Sequence, residues 1–70
     1  MQRLLLTVAA REQGWQLYEG DQGRQFFEDR EEALHTAALI AATLHQRHGI
    51  RSGVVMDMAG CEAVLVSRHG

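Results

Sequence analysis

Apolar and polar positions change period along this chain, and those changes divide it into elements. Residues 3–10 alternate, with Leu4, Leu6 and Val8 on one side and Leu5, Thr7 and Ala9 on the other, which is the period of a β-strand. Gln13-Gly14 interrupts the run, and Trp15-Gln16-Leu17-Tyr18 resumes it. Glu19-Gly20-Asp21-Gln22-Gly23 supplies a second turn, followed by a short third strand from Arg24 to Phe27. Together these segments predict an antiparallel meander.

Between Asp29 and His48 the period lengthens to that of a helix. Ala33, Ala37, Ile40, Ala41, Leu44 and His48 share one face, with Leu34 on its flank. Asp29 is the expected N-cap, Glu32 stands where a capping box needs it, and Gly49 is the expected left-handed residue at the end. A stripe made mostly of alanine lets the helix lie close to a sheet, whose side chains must then fill the core. Trp15, Phe26 and the leucines of the first strand are the candidates for that task. Beyond the helix, Ser52–Met58 and Glu62–Ser67 are strand-like runs flanking Asp57-Met58-Ala59-Gly60, a predicted hairpin. The expected fold is one α+β domain over residues 1–70, of order β-β-β-α-β-β. Its two layers are a mainly antiparallel sheet and one amphipathic helix on one face.

Seventy residues leave room for one thin core, and domains of this size often gain stability from a staple or from association. The chain has one cysteine, Cys61, so no internal disulfide is available, and it lacks the paired Cys/His clusters of a structural zinc site. Self-association is the device that remains. With 7 basic and 9 acidic residues the net charge is −2, which gives no global attraction for nucleic acid. Leu4-Leu5-Leu6 is followed too soon by Thr7, Arg11 and Glu12 to form a signal-peptide core, and no apolar run approaches the ~20 residues of a membrane span. A cytoplasmic protein without membrane contact is expected.

The candidate chemistry is sparse. His45 and His48 lie three apart on the helix, and Cys61 could approach them from the hairpin, which frames a small metal-binding protein as one alternative. HExxH and CxxC signatures are missing, and histidines in a last helical turn are favoured by the macrodipole alone, so no metal or cofactor is expected. Cys61, Ser52 and Ser67 have no motif of a positioned base around them, and an enzyme is not expected. Glu28, Asp29, Glu31 and Glu32 stand where a helix N-terminus favours negative charge. His45, Arg47, His48 and Arg51 form a basic cluster that could hold phosphate, making a nucleic-acid-binding accessory domain the first alternative, ahead of the metal-binding one.

The remaining signal is apolar surface. If Leu4, Leu6, Trp15 and Leu17 face the helix, then Leu5, Tyr18, Phe27, Val55, Val64 and Val66 point to the other sheet face, which one helix cannot cover. A contiguous apolar patch marks an interface. The function expected from the residues is therefore protein–protein contact, in the form of a homodimer.

Val8, Gly14-Trp15-x-Leu17, Gly20, Phe26 or Phe27, Glu32-Ala33-Leu34, alanines at 37, 38 and 41, Val54-Val55, Gly60 and Gly70 form a pattern running through nearly the whole chain. That pattern resembles the small bacterial domains catalogued as domain of unknown function 2188. The resemblance implies a strand-rich start, one central helix and strands after it, and it implies no catalytic residue.

Overall fold

The computed structural model describes residues 4–57 and 63–70. Three strands, β1 (Leu4–Arg11), β2 (Gly14–Glu19) and β3 (Gln22–Phe27), precede a helix α1 (Arg30–His48), and β4 (Ser52–Asp57) and β5 (Ala63–His69) follow it. The α+β architecture and the chain order are as the periodicity predicts. The spatial order differs from the chain order: one five-stranded sheet runs β3-β2-β1-β4-β5. Three pairings are antiparallel, and β1 with β4 is parallel, so the sheet is mixed. The direction of β4 follows from counting reversals. Two hairpins reverse the chain twice, and α1 reverses it once on entering and once on leaving, so after four reversals β4 runs the same way as β1, beside which it pairs. The predicted turn around Met58, Ala59 and Gly60 lies outside the described residues.

Cross-strand partners project to the same face, so the register sorts every side chain. Leu6, Val8, Trp15, Leu17, Phe27 and Val54 face the helix, where Ala33, Ala37 and Ala41 are fully buried against them. Leu34 and Ile40 pack on the margin of that cluster, whereas His48, expected on the buried stripe, is exposed. Ser52 is buried beneath the helix, where its hydroxyl donates to the Ala41 carbonyl at 3.1 Å. That bond ties β4 to the middle of α1 without leaving a buried polar atom unsatisfied.

Three assignments of face are corrected by the register. Phe27, expected on the far side, pairs with Trp15 and is 8% exposed in the core, while Phe26, expected to fill the core, pairs with Gln16 on the open face and is 45% exposed. Val64, also expected on the far side, pairs with Met56 and so lies on the helix side of the sheet, beyond the helix itself. The cause is shared. Each edge strand carries one residue without a cross-strand partner, Arg24 in β3 and Val66 in β5, at register shifts beside Leu17/Tyr18 and Val54/Val55. An extra residue inverts the alternation on one side of itself.

The helix begins as predicted at Asp29, whose φ of −110° and ψ of 127° lie outside the helical region. Its Oδ1 accepts from the Glu31 N–H at 3.2 Å. At the other end Gly49 is left-handed (φ 65°), donating to the His45 carbonyl at 3.0 Å. Asp29→Ala is expected to cost about 1 kcal/mol, measured as a lower urea midpoint with unchanged slope. An unchanged midpoint together with a lost interaction would instead place Asp29 in a binding site.

Candidate functional site: a sheet edge and its open face

The face opposite the helix is built in rows that cross the strands. Tyr18, Thr7, Val55 and Leu65 form one row, and Leu5, Gly53 and Arg68 the row beside it. On the other flank run Phe26, Gln16, Ala9, Asp57 and Ala63. Tyr18 is partly covered. The Arg11 guanidinium lies 5.7 Å from its ring centre and donates to its hydroxyl at 2.8 Å. The uncovered apolar part of this face therefore moves toward β5, where Leu5, Val55 and Leu65 meet.

Of the six residues expected on this face, Leu5, Tyr18 and Val55 are there, Phe27 and Val64 are on the helix side, and Val66 is the unpartnered residue of β5. Leu65 and Phe26 take their places. Adjacent apolar residues such as Phe26-Phe27 and Val64-Leu65-Val66 carry no alternation, so only the register could separate them.

The two edges of the sheet differ in kind. β3 is lined with Gln22, Arg24 and Gln25, and its extra residue, Arg24, pairs with Glu19. Charge and a bulge are the usual protection of a sheet edge. On β5 the extra residue is a valine, and Val64, Leu65 and Val66 are 52%, 50% and 46% exposed in succession. Charge is found on β5 only at Arg68, with His69 after it. One edge is guarded and the other is apolar on both faces.

The charge is also polarised. Glu12, Glu28, Asp29, Glu31, Glu32 and Asp57 collect at the end of the sheet where α1 starts, countered there by Arg11 and Arg30. At the opposite end the predicted cluster of His45, Arg47, His48 and Arg51 is exposed at the end of α1. The fold adds two residues that sequence reasoning missed. Arg68 pairs with Gly53 and His69 with Ser52, which brings both beside Arg51. Gly70 approaches closely enough that a Cβ there would stand 2.8 Å from the His45 ring and 3.2 Å from Arg51 Cγ. Among the described residues, Arg47, Arg51 and Arg68 form no ion pair.

Two open depressions are found among the described residues. One of about 530 Å³ lies against the first turns of α1 and includes Phe27, Glu28, Glu32 and His35. Another of about 300 Å³ runs between Arg24 and the outer side of the helix at Leu39, Thr43 and His48. Among the described residues no group of three or more His, Cys, Asp or Glu side chains is arranged to hold a metal ion. Cys61, the third member of the metal hypothesis, lies outside those residues. No helix of the described residues is long and apolar enough to cross a membrane.

No protein-family model, curated protein or solved structure matches the chain. The layout implied by the resemblance to domain of unknown function 2188 is present, as three strands, a helix and two strands. Layout alone does not assign a family.

Proposed function

We propose that this domain is not an enzyme and works by protein–protein contact, pairing with a second copy of itself along the β5 edge. The observation that carries the reading is the run Val64, Leu65 and Val66, about half exposed on a strand whose outer side meets no other strand among the described residues. An unpaired main chain flanked by apolar side chains is a template for strand addition. A second copy offers the same edge, and two-fold symmetry makes that edge complementary to itself. The thin core of a 70-residue chain supports the same conclusion, since association would bury surface the single helix leaves uncovered. One seven-residue strand makes a small interface, so the dissociation constant is expected in the micromolar range.

The test is molecular mass by sedimentation across a dilution series. Wild-type protein is expected to reach dimer mass at high micromolar concentration, and Leu65→Glu to remain a folded monomer there. A wild-type chain that stays monomeric at that concentration would sink the proposal.

A second reading is favoured by the position of Arg68 and His69 at the same end of the sheet as the basic cluster that closes α1. That end would serve as a phosphate-backbone contact of a nucleic-acid accessory domain. Anisotropy titrations with labelled RNA and DNA distinguish it, because phosphate contacts weaken steeply as salt is raised.

A further inference from the structure

The proposed self-pairing can be taken to a register and to the residues that select it. We infer that two copies pair β5 against β5 with Ala63 opposite the partner's Arg68, held by ion pairs between each Arg68 and the partner's Asp57. This rests on the self-association proposed above and specifies how it is built.

A strand that pairs with its own copy about a two-fold axis normal to the sheet runs antiparallel to it, and both helices stay on one side. Opposed residues of an antiparallel pair must then project to the same face. On β5 the pairing with β4 puts Ala63, Leu65 and Arg68 on the open face and Val64, Ser67 and His69 on the helix side, with Val66 as the extra residue. Setting Ala63 against the partner's Arg68 also sets Val64 against the partner's Ser67, so faces match on both sides of the central Leu65 and Val66. Leu65 and Val66 then meet their counterparts at the axis, and the most apolar part of the edge lies at its centre. A slide of one residue in either direction opposes an open-face residue to a helix-side one. A slide of two residues that sets Leu65 opposite the partner's Arg68 keeps the faces matched but buries a charge against the apolar centre.

The chosen register also satisfies charge. Ala63 is itself paired with Asp57 on β4, so Arg68, the partner's Ala63 and the partner's Asp57 fall in one row on the open face. Two strand spacings separate the ends of that row, about 10 Å between Cα atoms, and the alanine between them leaves the path open. An arginine spans that distance. Within one chain the two residues cannot meet. Arg68 pairs with Gly53, four residues along β4 from Asp57, about 13 Å away. Neither forms an ion pair among the described residues of its own chain. The wider polarity agrees, since antiparallel pairing brings the basic end of each copy beside the acidic end of the other.

The experiment is sedimentation equilibrium of the full chain at low and high salt, for wild type, Arg68→Glu, Asp57→Arg and the double swap. Thermal melts check that each variant is folded. Each single change is expected to raise the dimer dissociation constant about tenfold at low salt, and the double swap to return it to within about threefold of wild type. High salt is expected to weaken the wild-type dimer and to narrow all these differences. If wild type dimerises while the single changes have no effect, or the double swap fails to recover, the register is overturned and the self-association stands. If wild type does not dimerise, both fall. Should a variant fail to fold, the salt dependence of the wild-type constant decides alone, and a salt-independent dimer overturns the inferred ion pairs.

Discussion

Phe27→Ala is expected to remove about 3–5 kcal/mol of stability, whereas Phe26→Ala, one residue away, is expected to cost about 1 kcal/mol or less. Phe27 is 8% exposed and packs with Leu17 and the buried alanines of α1, and its truncation leaves a void that alanines on the facing helix cannot fill. Phe26 lies on the open face beside Gln16, nearly half exposed, and its loss opens no cavity. A domain of this length has a total stability of about 4–10 kcal/mol, so the first change consumes much of it and the second little. Paired urea or thermal melts of the two variants measure the difference. Equal losses, or a larger loss for Phe26→Ala, would mean that β3 presents its other face to the helix.

Gly14→Ala is expected to destabilise by about 3 kcal/mol and to lower the melting temperature by more than about 10 °C. Gly14 opens β2 beside the end of β3, where a Cβ would run into the Phe27 carbonyl oxygen and stand 2.8 Å from the Phe26 ring. The ring can swing away, but the carbonyl belongs to the strand pairing and cannot yield without parting β2 from β3. Phe26→Ala in the same chain therefore recovers only part of the loss. A Gly14→Ala protein that melts with wild type, or full recovery in the double variant, would show that the ring alone sets the constraint.

Several features could be read from the residues without any structure. Asp29 and Gly49 mark helix ends because capping is local chemistry, settled by hydrogen bonds within a few residues of each. The alanine stripe at 33, 37 and 41 identifies the buried face because helical period is a property of one element. Single alternation places Leu6, Val8 and Leu17 inside for the same reason. In the candidate interface, Leu5, Tyr18 and Val55 were legible by that rule.

Residue pattern alone fixes the kinds of elements, their order, and the faces of strands whose alternation is unbroken. The remaining features depend on how the strands pair. Where two or three apolar residues run together, as at Phe26-Phe27 and Val64-Leu65-Val66, period-two reasoning has no polar reference, and only the partner strand selects the phase. The unpartnered Arg24 and Val66 invert that phase, and a residue carries no local mark of lacking a partner. Parallel pairing of β4 with β1 places β5 at an edge, which turns an ordinary apolar strand into an uncovered one. The same pairing carries Arg68 to the basic end and Asp57 to the acidic end, a separation of charge that the net value of −2 averages away. Local chemistry shapes each element, whereas exposure and charge placement depend on neighbours distant in the chain.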